Sequence, residues 1–161
     1  MRFMIAAAIA LAASSAPAAA PSRQLDLDAF FTGRTHADND LKIVFHRTTK
    51  LIVDSVGHRQ GKEFILVDTV HEGDKPVRMR KWVTHQVAPG RYAGTLSDAT
   101  GPVDITVSGD SATVRYKMKG GLDVVQQMTL QRDGRALSNH VVAKKFGLTF
   151  AHVDGTIRKL D

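Results

Sequence analysis

The stretch VRMRKW at residues 77–82 contains the side chains best suited to hold a charged ligand. Alternate residues of an extended strand share a face, so Arg78, Arg80 and Trp82 lie together on one side. In one interpretation, Arg80 stacks on or near Trp82 and has a structural role at a barrel end. In the other, an inward Arg80 binds the head of an anionic amphiphile while apolar walls enclose its tail. We expect the structural role and keep the ligand role as the alternative.

Two amides interrupt otherwise apolar strand faces. Asn139 falls between Leu137 and Val141, and Gln126 likewise has apolar residues two positions away on both sides. A buried amide must be hydrogen-bonded, so each one ties strands together, which we favour, or orients a ligand. Adding two tyrosines on apolar faces, the candidate ligand-binding residues are Arg80, Trp82, Tyr92, Tyr116 and Asn139.

One carboxylate is also unusual, because Asp68 lies within the apolar run FILVDTV at residues 64–70. An alternating strand would point this side chain outward, and that is the expected position. The alternative is an acid that lines the interior of a barrel.

The remaining histidine and serine patterns do not predict catalysis. The seven histidines never occur as His-x-His, and His152 with Asp154 would supply only two metal ligands. Ser138 and His140 are two positions apart on one strand face, roughly 7 Å, which is too far for a nucleophile–base hydrogen bond. No GxSxG, GxGxxG or GxxxxGK[ST] motif occurs. We therefore predict no catalytic residue, no metal site and no cofactor.

The chain begins with the pattern of a secretory signal peptide. Arg2 precedes an apolar run at residues 3–13, and Ala16-Pro17-Ala18 fits an A-x-A cleavage site. The apolar run is too short to span a bilayer. We expect cleavage after Ala18, with Ala20 as the alternative. The predicted organisation is a signal peptide at 1–18, a linker at 19–24 and one barrel domain at 25–161.

The sequence contains no cysteine, which excludes disulfides, thiol nucleophiles and a lipid anchor at a cysteine. The net charge is +6, and its basic residues are spread along the chain, with the densest stretch at residues 78–81. An export signal argues against nucleic acid as the partner. Attraction to an anionic membrane surface is one use of this charge, and solubility alone is the favoured one. We expect a soluble monomer in the periplasm.

From Leu41 onward, the hydrophobic pattern has the period of two that is typical of strands. In SATVRYKM, for example, Ala112, Val114 and Tyr116 share one face. Glycine-containing turns separate the runs, and Asp133-Gly134 is the strongest hairpin signal. No gap is long enough for a crossover helix, so neighbouring strands should be antiparallel. The pattern indicates a barrel or a strongly curled sheet. We predict an all-β, up-and-down barrel of about eight to ten strands, since closure removes exposed edges.

Two details of this prediction concern specific elements. In the strand that includes VRMRKW, the pattern groups the apolar residues Val77, Met79, Val83 and Val87 on one face. Only residues 25–32 are predicted to be helical in the mature chain. We interpret Phe30 and Phe31 there as a plug at one end of the barrel.

The sequence resembles a bacterial cell-envelope family of unknown function, mostly lipoproteins, with a lipocalin-like (calycin-type) barrel. The motifs that carry the resemblance occur in the family's order: FFTG at 30–33, RKW at 80–82, GRYAGTLSDATG at 90–101, the strand around Tyr116 and NHVVAKKFG at 139–147. Two features differ from the family pattern. The usual lipidated cysteine is missing, and VVQQMTLQRDG stands where an acidic pair and a tryptophan are common.

The resemblance implies a fold and a compartment but no reaction. A barrel of this size can leave an interior that holds a small ligand. We therefore expect a periplasmic protein that binds a small hydrophobic or amphipathic, lipid-like ligand. Two alternatives are a non-catalytic scaffold with a filled barrel and a lipid-modifying isomerase or hydrolase.

Overall fold

The computed structural model describes residues 23–161, which form a closed antiparallel barrel and one short helix. The predicted signal peptide lies outside the described residues. Each strand pairs with its neighbours in sequence, and the first pairs with the last. This confirms the predicted all-β, up-and-down barrel. The elements are α1 Leu27–Phe31, β1 Gly33–Ile43, β2 Thr49–Gln60, β3 Glu63–Glu72, β4 Arg78–Ala88, β5 Arg91–Leu96, β6 Val103–Ser108, β7 Ser111–Met118, β8 Leu122–Leu130, β9 Ala136–Lys145 and β10 Leu148–Lys159.

Up-and-down order gives the barrel two distinct ends. The helix end carries α1 and the turns at residues 61–62, 89–90, 109–110 and 131–135. The distal end carries the other five connections, at residues 44–48, 73–77, 97–102, 119–121 and 146–147. Gly90 has a φ of +67°, and a Cβ there would lie 2.7 Å from the Val107 carbonyl oxygen. Only glycine fits this turn without strain or a clash.

Helix α1 closes its end of the barrel. The Asp26 carboxylate caps it by accepting a hydrogen bond from the Ala29 backbone amide at 3.0 Å. Phe30 and Phe31 are buried, with their rings edge to face at 5.1 Å. Gly57 makes room for this contact, because a Cβ there would lie 2.1 Å from the Phe31 carbonyl oxygen. The two phenylalanines therefore form the plug that the sequence predicts.

The face of β4 that carries most of its apolar residues points outward. Val77 before the strand and Met79 and Val87 within it are exposed, whereas Trp82 and Thr84 are buried. The expectation that Asp68 points outward is also wrong, because only 2% of this residue is exposed. The orientation of β4 and the burial of Asp68 have the same cause. Asp68 on β3 lies opposite β4 and accepts hydrogen bonds from the inward-facing side chains of β4. Among the described residues, no helix is long and apolar enough to cross a membrane.

Candidate ligand cavity

The barrel encloses a cavity of about 340 Å³. It runs the length of the barrel, from Phe31 at the helix end to Phe150 at the distal end. Phe150 lines the cavity and is also 40% exposed, which indicates that the cavity reaches the surface there. The volume falls within the range of small-molecule sites, about 300–1,000 Å³. Most of the wall is apolar, with side chains such as Leu51, Leu66, Val114, Met128, Val141 and Ile157.

A buried carboxylate organises the polar part of the wall. Asp68 accepts three hydrogen bonds: from Ser55 Oγ at 2.7 Å, Arg80 Nε at 2.7 Å and Trp82 Nε1 at 2.9 Å. The donors come from β2 and β4, the two strands that flank β3. Period-two alternation on three paired strands brings all four side chains to the interior. Burial of this charge is tolerated because it is paired and hydrogen-bonded.

Arg80 is held but not fully used by this cluster. Its guanidinium carbon lies 5.5 Å from the centroid of the Trp82 ring, and its Nε binds Asp68. Within the described residues, no hydrogen bond is formed by its two terminal nitrogens, and 20% of the side chain remains accessible. The arrangement matches the predicted structural role of Arg80 beside Trp82. It also leaves donors available to an oxygen atom in the cavity.

Tyr116 completes the cluster from β7. Its ring meets Trp82 edge to face at 5.6 Å, and it lines the cavity. Burial raises the pKa of Tyr116 above its ordinary value of 10.0, and the positive charge of Arg80 opposes that rise only in part. Tyr116 therefore stays protonated at neutral pH. Its hydroxyl, which has no hydrogen-bond partner among the described residues, is available as a donor to a group in the cavity.

A second set of polar side chains forms a hydrogen-bond network along the opposite wall of the cavity. Gln126 Nε2 donates to Asn139 Oδ1 at 2.7 Å, and Asn139 Nδ2 donates to Asn39 Oδ1 at 2.9 Å. Asn39 in turn donates to the Leu51 carbonyl oxygen at 3.1 Å. This network ties β8, β9, β1 and β2 together, which is the structural role that we favoured for the two amides.

Gly155 makes the amide network possible. In the register of the sheet, it lies between Asn39 on β1 and Asn139 on β9. A Cβ at Gly155 would lie 2.2 Å from the Asp38 carbonyl oxygen and 2.5 Å from Asn39 Oδ1. The missing side chain is the gap across which the two asparagines bond.

Charged side chains at the distal end pair with one another. Arg78 Nη1 lies 2.7 Å from Asp98 Oδ2, and Glu72 binds Lys75. Both Glu72 and Arg78 line the cavity. Arg78 is paired with Asp98 at the distal end and Arg80 with Asp68 inside the barrel, so two of the three cations in the stretch at 78–81 already have a carboxylate partner.

The structure brings four of the five predicted ligand-binding residues to the cavity wall, namely Arg80, Trp82, Tyr116 and Asn139. Tyr92 is half-buried and packs against the core, but it is not part of the cavity lining. Ser55 and Asn39 were missed, because a single polar residue on an alternating strand carries no mark of which face is buried. Asp68 was noticed but was placed on the wrong face.

The histidines lie on the outer surface. His140 Nδ1 binds Asp154, and the ring of His140 lies 6.3 Å from that of His152, centroid to centroid. Within residues 23–161, no group of three or more His, Cys, Asp or Glu side chains could hold a metal ion. His36 makes a similar outer contact, with its Nδ1 2.7 Å from Asp54 Oδ1.

These features define a hollow antiparallel barrel of lipocalin-like type, plugged by a helix at one end and lined by a polar cluster. The chain belongs to the family described as protein of unknown function (DUF3833), which matches residues 5–159. No curated protein matches this sequence.

Two solved structures share the fold at low sequence identity. An S-type phycobiliprotein lyase from Guillardia theta has a TM-score of 0.65 at 6% identity, and covers 83% of this chain and 90% of its own. Rv2717c from M. tuberculosis has a TM-score of 0.59 at 13% identity, and covers 83% of this chain and 94% of its own. At these identities, the likeness extends to the fold alone.

Proposed function

We propose that the barrel binds a small hydrophobic or amphipathic, lipid-like ligand in its cavity. The observation that carries this proposal is an apolar cavity of about 340 Å³ that retains hydrogen-bond donors on its wall. A filled barrel would favour the scaffold alternative, and this barrel is not filled. A fold shared with a phycobiliprotein lyase is consistent with a ligand-binding interior. The export signal predicted at residues 1–18 supports a periplasmic location for this binding.

The wall specifies what kind of polar group the ligand carries. The Asp68–Arg80 pair is neutral overall, so the terminal nitrogens of Arg80 suit an oxygen acceptor such as a carbonyl, hydroxyl or single carboxylate. The Tyr116 hydroxyl is a second donor on the same wall. The remaining lining is apolar and suits an acyl or similar hydrocarbon chain. A ligand with several negative charges would bring unpaired charge near Asp68.

The lipid-modifying enzyme is the weaker candidate. Such an enzyme would need a general base in the cavity. Among the lining groups that could act as one, burial raises the pKa of Tyr116 and of Asp28, and Asp28 is paired with Arg59. Because the pKa of Tyr116 is raised, its deprotonated form is scarce at neutral pH, whereas an efficient general base has a pKa near the working pH. Asp68 already accepts three hydrogen bonds. The geometry therefore favours binding over proton transfer.

Trp82 provides a direct assay for binding. It is the only tryptophan in the chain and lines the cavity, so its fluorescence reports the occupancy of that cavity. We would titrate the protein with a single-chain fatty acid, the matching fatty alcohol and the matching methyl ester. Saturable changes in the emission of Trp82 are expected, together with a rise in melting temperature.

A pair of variants on one strand locates the site. Val141 on β9 lines the cavity, whereas its neighbour Val142 does not. Val141→Phe should fill the cavity and abolish the fluorescence response, and Val142→Phe should leave it unchanged. If none of the three probes binds, and native mass spectrometry of protein from its own cell finds no bound small molecule, the proposal is wrong. Equal effects of the two variants would show that the probes bind outside the cavity.

A further inference from the structure

The distal end exposes large apolar side chains at the tips of two neighbouring hairpins. Phe45, between β1 and β2, is fully exposed, and Phe146, between β9 and β10, is 91% exposed. The hairpins are adjacent because β1 pairs with β10, and the Val44 amide donates to the Phe150 carbonyl oxygen at 3.0 Å. We call residues 42–47 and 144–150 together the hairpin-tip patch. Val44, Leu148 and Phe150 within it are also exposed.

Folding does not explain the two tip phenylalanines. Phe45 has a φ of 65° and Phe146 a φ of 52°, in the left-handed region that favours glycine and asparagine. In the described residues, these are the only two non-glycine positions with positive φ. Each phenylalanine therefore costs backbone energy and buries almost no surface within the chain. Such a side chain has a reason to be there only if something outside the chain covers it.

The charge around the tips specifies what would cover them. The patch contains Lys42, Arg47, Lys144 and Lys145 and no acidic residue. All four basic side chains are exposed. The acids on neighbouring strands are already used, since Asp38 and Asp40 bind Lys50 and Asp123 binds Lys117. Lys145 Nζ lies 5.8 Å from the centroid of the Phe146 ring, and none of the four cations forms a salt bridge within residues 23–161. Aromatic tips ringed by such cations are complementary to a surface that is apolar inside and anionic outside, which describes an anionic bilayer.

The position of the patch fits the same partner. Phe150 belongs both to the patch and to the cavity wall. A bilayer that covers the hairpin tips would therefore lie over the end at which the cavity reaches the surface. The opposite end is closed by α1 and is unsuited to exchange.

We infer that the hairpin-tip patch docks the barrel on an anionic lipid bilayer, with Phe45 and Phe146 inserted among the headgroups and the four basic side chains against lipid phosphates. The docking surface stands on its own residues and does not require a ligand in the cavity. Its failure and the failure of cavity binding can therefore be told apart.

Vesicle co-sedimentation of the mature chain, residues 19–161, tests this inference. Vesicles of phosphatidylcholine with phosphatidylglycerol are compared with vesicles of phosphatidylcholine alone, at low and high salt. The predicted signal peptide is left out because its apolar run at residues 3–13 would bind vesicles by itself. The key variant is Phe45→Asn with Phe146→Asn, because asparagine tolerates positive φ and should keep both turns intact. Its melting temperature should equal or exceed that of the wild type.

The matched control is Val56→Ser with Val87→Ser. These two side chains are each 54% exposed and lie away from the distal end. Replacing them with serine removes apolar surface without changing the hairpin-tip patch. We expect the double asparagine variant to bind anionic vesicles about tenfold more weakly or worse, from the lost burial of two aromatic rings. The control should bind like the wild type. Lys144→Glu with Lys145→Glu should lose binding, and salt should weaken the wild type.

Two results would overturn the inference. The first is equal vesicle binding by the double asparagine variant and the wild type. The second is a dimer in sedimentation velocity that this variant converts to a monomer, while neither protein binds vesicles. That outcome would make a second copy of the chain the occupant of the patch.

Discussion

Asp68 on β3 and Arg80 on β4 face each other inside the barrel, with Arg80 Nε 2.7 Å from Asp68 Oδ2. The same carboxylate oxygen accepts from the indole of Trp82, so one acid fixes both the charge and the aromatic wall of the cavity. This relationship links the stability of the barrel to the composition of its site.

The first prediction concerns that pair. Asp68→Asn leaves the Arg80 charge in the interior without its counter-ion and should lower the free energy of unfolding by about 3 kcal/mol in urea denaturation. Combining it with Arg80→Met removes the stranded charge and should recover part of the loss. Asp104→Asn, an exposed position on β6, is the control and should change stability by less than about 0.5 kcal/mol. A similarly small loss for Asp68→Asn would show that Asp68 is not needed to balance the charge of Arg80 in the folded barrel.

The second prediction concerns Gly155. Gly155→Ala should destabilise the barrel by about 3 kcal/mol, because its Cβ would meet the Asp38 carbonyl oxygen and the Asn39 amide, and neither can move without breaking pairing. Gly101→Ala is the matched control, since nothing lies within 4 Å of its added carbon. Thermal unfolding of the two variants distinguishes them. Equal melting temperatures would contradict the importance assigned to the gap.

The third prediction separates the polar and apolar parts of ligand binding. Tyr116→Phe keeps the ring against Trp82 and removes only the hydroxyl. It should weaken the binding of a fatty alcohol by about fivefold, which is the usual contribution of one neutral hydrogen bond. It should leave binding of the alkane of equal length unchanged. Both are measured through Trp82 fluorescence, and equal weakening of the two ligands would place the hydroxyl away from the ligand.

The fourth prediction is a pH dependence. Burial raises the pKa of Tyr116, and it also raises that of Tyr92, the second tyrosine of the chain. In near-ultraviolet absorbance, the native protein should therefore titrate above the ordinary value of 10.0, and the protein unfolded in guanidinium should titrate at about that value. Identical curves for the two states would contradict the burial of these phenols.

The sign of the accompanying stability change follows from linkage. Above pH 10.0 the unfolded tyrosine loses its proton first, so the unfolded state binds fewer protons than the native state. The stability contributed by Tyr116 is complete below that pH and is lost as pH rises through the native pKa. Tyr116→Phe should therefore lose less stability than the wild type above pH 10.0.

Much of the fold could be predicted because strand alternation and turn glycines are local properties. The run SATVRYKM shows its inward face without reference to any other strand, and β7 has that face buried. The short helix with its two phenylalanines was also local, and the structure places it at Leu27–Phe31. The all-β fold, an approximate count of eight to ten strands and the plug therefore followed from patterns of a few residues, and the structure has ten strands.

Strand β4 marks the limit of that argument. Its alternation is clear, but both faces contain large side chains, so the pattern does not say which face is buried. Only the pairing with β3 decided this, because Asp68 can stay inside when Arg80 and Trp82 supply it with donors. The same holds for the two exposed phenylalanines, which lie on neighbouring hairpins only because β1 pairs with β10.

The sequence by itself determined antiparallel strands in up-and-down order with a helical plug, because each strand and turn is specified by neighbouring residues. The tertiary structure alone decided that β1 closes on β10, that the barrel is hollow, which polar side chains share its interior, and which end carries the exposed aromatic tips. Those features depend on contacts between strands far apart in the chain, such as Asn39 with Asn139, which no local pattern encodes.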